Sequence, residues 1–185
     1  NNKFDMAGFS VGIVDKTKIL DGKKIQKDNL ILAIPSSGLH SNGFSLVRHV
    51  LKLKKIQNKN ILKKLLEPTK IYVNEVLNLH SKNLINGCCN ITGGGITENL
   101  PRVLPKGKAA KINLDKIKTL KIFKFLKQSN ISNDEMLKTF NCGVGFCLII
   151  NKNNLKKVQS FFKTKYTPYP IGKIINSSNK KIIFN

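Results

Sequence analysis

The sequence predicts an α/β or α+β fold in which helices pack on a single β-sheet. Stretches with the two-residue period of strands alternate along the chain with stretches of helical period. The 185 residues suffice for one well-filled core, and contents of 41% hydrophobic and 23% charged residues are typical of a globular chain. Because no internal repeat or low-complexity linker interrupts this pattern, we expect one domain.

Strands are predicted from apolar runs that are bounded by turn residues. The first of them, GFSVGIVD, alternates apolar and small residues and is followed by the turn DGKK. In chain order the predicted strands occupy residues 8–15, 30–34, 88–91, 144–150, 169–175 and 181–184.

Helices are predicted from apolar residues at spacings of three and four. One begins near Leu46, another covers residues 117–128, and a third runs from Leu155 through Phe162. A further helix opens at Pro68, since proline is tolerated in the first turn. The inward stripe of that helix is predicted to be Val73, Val76, Leu77, His80 and Leu84, with His80 as a hydrogen-bonded residue at the core boundary.

The net charge of +23 raises the question of a nucleic-acid partner. Only Arg48 and Arg102 are arginines, and lysine lacks the bidentate fork that reads base edges. The lysines are spread along the whole chain, and no row of aromatic residues alternates with them to stack bases. Nucleic acid is therefore not the expected partner, and a bias towards Lys, Asn and Ile codons explains the charge.

Membrane and secretory roles find no support in the sequence. The longest apolar run, near residues 145–150, is far shorter than the roughly 20 residues of a membrane span. No secretory signal is visible, and because the chain lacks an initiator Met we expect it to begin inside a longer reading frame. The cysteines show no Cys-x-x-Cys spacing and are expected to be reduced, buried small hydrophobes: Cys88, Cys89, Cys142 and Cys147.

The first candidate site is the polar turn in IPSSGLHSNGF, between a buried strand and a helix. The start of a helix leaves backbone N–H groups without intrahelical partners, and these groups favour an anion such as phosphate. A single Ser or Asn would suffice as an N-cap worth about 1 kcal/mol. This turn has more polar residues than a cap needs, which indicates a ligand. The candidate residues are Ser36, Ser37, Gly38, His40, Ser41, Asn42 and Gly43.

A second turn, ITGGGITEN, repeats this logic with Thr92, Gly93, Gly94 and Gly95. Three consecutive glycines carry an entropic cost that is expected where backbone is exposed to a ligand, although a flexible surface loop is the alternative. The sequence matches neither a P-loop nor a Gly-x-Gly-x-x-Gly motif.

A third segment, SNDEMLKTFNCGVGF, adds Asn141 to the candidate set. Glu135 is either an acid–base group or part of a helix cap with Ser132, and the cap is favoured. Gly143 and Gly145 indicate a close backbone approach or a bulge.

Six segments together closely resemble the C-terminal half of the phosphoribosylformylglycinamidine cyclo-ligase family, the AIR synthetases of purine biosynthesis. The resemblance extends over residues 1–185. One departure is Asn90, where family members usually carry His. The matching segments are FDMAGFSVGIVDKTKILDGKKI, IPSSGLHSNGFSLVRHVL, LLEPTKIYVNEVLNL, ITGGGITENLPRVLP, EMLKTFNCGVGF and YPIGKI.

The resemblance implies a three-layer α/β/α domain with a mixed sheet, whose N-terminal, ATP-binding half is absent. It implies a ligase that closes formylglycinamidine ribonucleotide to aminoimidazole ribonucleotide in IMP biosynthesis, after phosphorylation of the formyl-derived oxygen. ATP and Mg²⁺ would be bound mainly by the absent half, and this chain alone would be inactive. The resemblance also implies a cytoplasmic homodimer with no membrane partner, and no metal ligand is predicted in this chain.

Within this family the candidate turns would bind phosphate and orient substrate rather than perform covalent chemistry. His40 either contacts a ligand, which is favoured, or hydrogen-bonds within its own loop. Arg48 either reaches back to an anion or faces solvent, and His49 is expected to face solvent. Two other functions stay open: a stand-alone basic module that binds RNA or another polyanion, and a sister enzyme such as formylglycinamidine synthase, selenophosphate synthetase or a thiamine-phosphate enzyme.

Overall fold

A computed structural model describes residues 8–179 and 181–185, which form one six-stranded sheet with helices around it. The sheet order is β2-β4-β1-β5-β3-β6. All neighbouring strands are antiparallel except β3 and β6, which are parallel, so the predicted mixed sheet is confirmed. The strands are β1 Leu30–Pro35, β2 Gly87–Asn90, β3 Lys108–Ile112, β4 Val144–Ile150, β5 Tyr169–Asn176 and β6 Ile182–Phe184.

Within the described residues, seven α-helices flank the sheet, with short 3-10 turns between several of them. Only α1 reaches ten residues, so packing rather than intrinsic propensity must stabilise most of the helices. The helices are α1 Phe44–Leu53, α2 Lys59–Leu65, α3 Val73–Ser81, α4 Gly95–Asn99, α5 Lys121–Lys127, α6 Asn133–Thr139 and α7 Leu155–Gln159.

The side chains of β1 alternate between two separate cores. Ile31 and Ala33 face a core that also contains Ile96 of α4, while Leu32 and Ile34 face a core that contains Leu79 of α3 and, further along, α7. Because strand side chains alternate between faces, one fully buried strand serves both cores. Helices therefore cover both faces of the sheet, as the three-layer prediction requires.

A third core lies at the end of the sheet where β1 leaves and β4 begins. It packs α1, α2, α5 and α6 around Phe123 and Phe140, whose ring centroids are 6.0 Å apart. This cluster supports the polar turns that emerge from the same end of the sheet.

The predicted strand at residues 8–15 is wrong. These residues form no strand ladder with the described sheet, although their apolar alternation is real. Phe9, Val11 and Ile13 are 97%, 93% and 102% exposed. A strand requires a neighbouring edge to accept its hydrogen bonds, and residues 8–15 pair with neither β2 nor β6, the edge strands of the described sheet.

The helix predicted from Pro68 begins later, at Val73, and presents a different stripe to the core. Val73 and Leu77 are 55% and 59% exposed, whereas Tyr72 and Leu79 are buried. The buried face is centred on Tyr72, partly buried Val76 and Leu79, because the Tyr72 side chain is anchored beneath the sheet end by a hydrogen bond to the Pro35 carbonyl. His80 donates a hydrogen bond from Nε2 to the Lys18 carbonyl at 2.7 Å, which confirms its boundary role.

Other boundaries differ where the sequence pattern is weak. The helix predicted at 117–128 is limited to α5, and the last predicted helix ends at Gln159, short of Phe162. Strand β3 and helices α2 and α4 were not predicted. The remaining strands and α1 lie where their patterns place them.

The cysteines are free thiols, as predicted, although Cys88 and Cys89 are only partly buried. Burial raises the pKa of the Cys88 thiol to about 11 and that of the Cys142 thiol to about 12. The thiolate, which is the reactive form, is therefore disfavoured at both positions. Among the described residues no helix has the length and apolar character needed to cross a membrane.

The corrected face of α3 leads to a stability prediction. Leu79→Ala removes a fully buried side chain and is expected to cost about 2–5 kcal/mol, whereas Leu77→Ala should change stability by at most about 0.5 kcal/mol. Urea denaturation of both variants measures the difference. Equal losses of stability in the two variants would contradict this buried face and support the one that the sequence predicted.

Candidate functional site

The three predicted segments meet at one end of the sheet. We call residues 36–43 the serine turn and residues 92–95 the glycine turn. A Cβ atom on Gly93 would lie 3.3 Å from Asn42 Oδ1, so the two turns are in direct contact. Gly43 packs against the Phe140 ring, and Gly95 approaches the Phe140 carbonyl, one residue before Asn141.

Asn141 holds the serine turn in place. Its Nδ2 donates to the Gly38 carbonyl at 2.9 Å and to the Leu39 carbonyl at 3.2 Å, and its Oδ1 accepts from the Gly143 N–H at 2.9 Å. The residue is 4% exposed. Because its buried amide is already engaged on both sides, Asn141 positions the site rather than binding a ligand.

A segment that sequence reasoning missed ties down the serine turn from outside. Residues 68–72, which we call the strap, have no regular secondary structure and lead into α3. Ser37 Oγ donates to the Pro68 carbonyl at 2.6 Å and accepts from the Lys70 N–H at 3.1 Å. Tyr72 donates its hydroxyl to the Pro35 carbonyl at 2.9 Å. Ser37 is therefore a clamp for the strap, and its hydroxyl is not free for a ligand.

Lys70 anchors the strap to α3. Its Nζ lies 2.7 Å from Glu75 Oε1 and over the rings of Tyr72 and Tyr166, at 5.1 and 4.7 Å from their centroids. Burial is the largest single effect on Glu75 and opposes its ionisation, but the hydrogen bond from Lys70, a backbone hydrogen bond and the charges of Lys70 and Lys163 together lower the pKa of this carboxyl. A partly buried ion pair of this kind fixes one arrangement of the strap.

His40 points into the fold rather than into open solvent. It adopts a left-handed backbone with φ of 60°, is 7% exposed, and accepts a hydrogen bond at Nε2 from the Ser37 N–H at 3.3 Å. Burial lowers the pKa of His40, so the neutral imidazole is favoured. It also lines a cavity of about 290 Å³ with Ser41 and the start of the strap. The hydrogen bond within the loop, which the sequence offered as the alternative to ligand contact, is therefore present.

The glycine turn depends on Asn99, another residue that sequence reasoning did not single out. Its Nδ2 donates to the carbonyls of Gly93 and Gly95 at 3.1 and 2.8 Å, and its Oδ1 accepts from Thr92 Oγ1 at 3.1 Å. Asn99 is 5% exposed. The Thr92 hydroxyl is thus used within the turn. In the sequence, the only indication of Asn99 was its place in the polar pair that follows GGGIT, Glu98 and Asn99.

The three glycines have different roles. Gly95 has φ of 56°, and a Cβ there would overlap the Leu137 carbonyl of α6, so its requirement is internal packing. Gly94 has φ of 87° and lies against the Glu98 side chain. Gly93 is exposed and faces Asn42. Only the first two glycines of the run therefore remain candidates for ligand contact.

The N-cap explanation of the serine turn fails. The N-cap of α1 is Gly43, with φ of 78° and no side-chain cap. Ser41 is exposed and Asn42 partly buried, and neither side chain hydrogen-bonds to another described residue. The Ser36 hydroxyl is buried and has no partner in the described part of the chain. The start of α1 therefore does not use the polar side chains of this turn as caps.

The groups that remain available form what we call the anion cradle. It consists of the side chains of Ser41 and Asn42 and the backbone N–H groups of Ser41, Asn42, Gly93 and Gly94. None of these N–H groups donates to a backbone or side-chain acceptor within residues 8–179 and 181–185. Unpaired N–H groups beside a helix start that has no side-chain cap favour an anion. The carboxylate of Glu98, 3.8 Å from Arg102, borders the cradle and limits how much negative charge it accepts.

The remaining candidates lie outside the cradle. Arg48 is exposed and approaches only Ser45 Oγ, at 3.4 Å, and His49 is exposed as expected. Ser132 Oγ accepts from the Glu135 N–H at 3.2 Å, which confirms the helix cap. Asn90 lines a separate cavity of about 340 Å³ with Tyr72 and Phe146. Among the described residues no group of three or more His, Cys, Asp or Glu side chains could hold a metal ion.

Comparison with known proteins connects this geometry to a family. Residues 26–185 match the family described as AIR synthase related protein, C-terminal domain. The chain is 41% identical over 188 aligned residues to the phosphoribosylformylglycinamidine cyclo-ligase of Streptococcus pneumoniae (strain Taiwan19F-14), covering 97% of this chain and 55% of the relative. The chain thus spans about half the length of the curated relatives it matches.

Solved structures with low identity share the fold. The thiamine-monophosphate kinase of Stenotrophomonas maltophilia K279a superposes with a TM-score of 0.63 at 14% identity, over 93% of this chain and 54% of the kinase. PurL of T. maritima, complexed with AMPPCP, superposes with a TM-score of 0.53 at 12% identity, over 88% of this chain and 24% of PurL. The predicted fold of helices on a mixed sheet is therefore shared with these two proteins.

The internal role of Gly95 can be separated from a ligand role by stability alone. Gly107→Ala places a Cβ in open space at φ of 77° and should cost only the left-handed backbone penalty, about 1–2 kcal/mol. Gly95→Ala must also displace the Leu137 carbonyl and should cost about 1–3 kcal/mol more. Thermal or urea unfolding gives both values. Equal costs would mean that α4 and α6 are not packed as described.

The buried His40 predicts a pH dependence of stability. Burial lowers the pKa of His40 in the folded protein from its ordinary value of about 6.5. As the pH falls below about 6.5, the unfolded chain therefore binds more protons at this residue than the folded protein does. The stabilising contribution of neutral His40 is therefore present above that pH and is lost as the pH falls through the folded pKa. The stability advantage of the wild type over His40→Gln should shrink between about pH 7 and about pH 5 in urea titrations. A constant difference would contradict the burial of His40.

Proposed function

The chain belongs to the family described as AIR synthase related protein, C-terminal domain, and from that premise we propose that it is the phosphate-binding half of an ATP-dependent cyclo-ligase. The proposed reaction closes formylglycinamidine ribonucleotide to aminoimidazole ribonucleotide in purine biosynthesis. Relatives that carry the cyclo-ligase name are 40–42% identical over 97% of this chain, which favours this reaction over those of the sister enzymes.

The anion cradle is the observation that carries the proposal. Both substrates of such a reaction carry phosphate groups, and the cradle offers unpaired N–H groups with the side chains of Ser41 and Asn42. Asn141, Asn99 and Ser37 fix these donors by buried or clamped hydrogen bonds. Donors that are fixed before the ligand arrives lose little entropy on binding, so they suit the orientation of a reacting molecule.

The described residues of this chain fit a phosphate but offer no cluster of ligands for a metal ion. When bound, ATP would supply the phosphoryl group that activates the formyl-derived oxygen. The cradle would hold and orient a phosphate, and neutral, buried His40 would keep the serine turn closed rather than transfer a proton. No acidic cluster in the described residues suits Mg²⁺, so any magnesium site would belong to the other half of the enzyme.

Exposed apolar groups support the need for another half. Phe9, Val11 and Ile13 are almost fully exposed, as are large parts of Ile71 and Leu77. Apolar surface of this extent is typical of an interface. We propose that an ATP-binding half, which makes up much of the length of the relatives, covers this surface, and that the complete enzyme is a cytoplasmic homodimer.

A chimera tests the proposed function. This chain replaces the matching 55% of the Streptococcus pneumoniae cyclo-ligase, and ATP-dependent imidazole formation is measured for the chimera and for the isolated chain. We expect activity in the chimera alone. Asn42→Ala should raise KM for one substrate by about tenfold without lowering Tm, because the Asn42 side chain makes no internal hydrogen bond.

Asn74→Ala, an exposed amide on α3, is the matched control and should leave KM unchanged. Turnover by the isolated chain would contradict the need for another half. A folded but inactive chimera, together with RNA binding that weakens steeply with salt, would favour the polyanion-binding module instead.

A further inference from the structure

A second cavity adjoins the serine turn and shares no lining residue with the anion cradle. It lies between α2 and α5, has a volume of about 540 Å³, and touches the serine turn only at Ser37 and Gly38. We call it the α2–α5 cleft. Its volume falls within the roughly 300–1,000 Å³ of small-molecule sites. The cleft is separate from the cavity lined by His40 and Ser41.

The floor of the cleft is apolar and includes an aromatic ring. Ile61 of α2 and Leu120, Ile122 and Phe125 around α5 line it, and each is only partly buried by the core behind it. The floor thus leaves a hydrophobic surface on which a flat ring could pack.

The rim of the cleft is positively charged without compensation. Lys64, Lys121 and Lys165 line it, and none of the three forms an ion pair with another described residue. No carboxylate is among the lining residues. The Glu67 side chain packs against Gly38, but it lines the neighbouring cavity and not the α2–α5 cleft. A concave surface lined by one sign of charge concentrates counter-ions.

Two amides complete the rim. Asn58 uses its Oδ1 to cap α2, accepting from the N–H groups of Asn60 and Ile61 at 2.9 and 3.3 Å. These hydrogen bonds fix the side chain of Asn58 and leave its NH₂ group available as a donor. The side-chain amide of Asn60 also lines the cleft. The cleft offers cations and amide donors at the rim above an apolar floor.

We propose that the α2–α5 cleft binds a small amphipathic anion, of the class of a purine nucleoside diphosphate. The flat base packs on Phe125 and the aliphatic side chains of the floor. The phosphate groups contact the three lysines, which bind phosphate as point charges. This site goes beyond the proposed cyclo-ligase reaction, since it does not use the cradle and needs no other half of the enzyme.

The test is a calorimetric titration of this chain with ADP at low salt. We expect saturable binding to one site. Lys64→Glu/Lys121→Glu should weaken it by at least about tenfold, since two attractive charges become repulsive. The control Lys152→Glu/Lys156→Glu makes the same change in charge on exposed lysines near α7 and should weaken it by less than about twofold. Lys64→Gln/Lys121→Gln, a milder change, repeats the test if the double Glu variant does not fold.

Two further titrations locate the ligand and its base. Pyrophosphate should bind at least about tenfold more weakly than ADP, because it lacks the ring, and Phe125→Leu should weaken ADP more than pyrophosphate. Equal affinities for ADP and pyrophosphate would overturn the role of the floor. Affinity that falls with Asn42→Ala but not with the lysine variants would place ADP on the anion cradle and overturn the cleft site, while leaving the proposed function intact. Absence of saturable ADP binding would also overturn the cleft site.

Discussion

The arrangement of the site depends on the buried amide of Asn141. A single side chain holds the carbonyls of two residues of the serine turn and the N–H of Gly143, at the point where β4 begins. Because β4 is an interior strand that pairs with both β2 and β1, this amide ties the turn directly to the sheet. The strap and Asn99 extend the same principle, since each uses side-chain hydrogen bonds to hold backbone in a conformation that would not persist alone.

Fixing the backbone in this way frees other polar groups. Residues that looked like ligands in the sequence, namely Ser37, His40 and Asn141, use their polar atoms inside the fold. Ser41 and Asn42, which were predicted with them as ligand-binding residues, neither cap α1 nor hydrogen-bond to another described residue, and so remain available. In the proposed site, backbone N–H groups and these two side chains would contact the ligand, while Ser37, His40 and Asn141 support them.

Much of the fold could be predicted because its signals are local. Strand β4 lies at the residues that its apolar run indicated, and the helix cap at Ser132 follows from a four-residue pattern. The strand predicted at residues 8–15 failed because alternation specifies a face but not a partner strand. Strand β3, KAAKI, was missed because its lysines and alanines form neither an apolar run nor an alternation of apolar and polar residues. Lys70, Tyr72 and Asn99 could not be found, because their roles arise from contacts that join distant segments or use backbone carbonyls.

The central claim is that the serine and glycine turns form one binding site for a phosphate group. Two-dimensional NMR of the chain during titration with ribose 5-phosphate tests it most directly. The account predicts that the amide signals of Ser41, Asn42, Gly93 and Gly94 shift together and report a single dissociation constant. Shifts in one turn without the other, or two unrelated constants, would contradict a shared site.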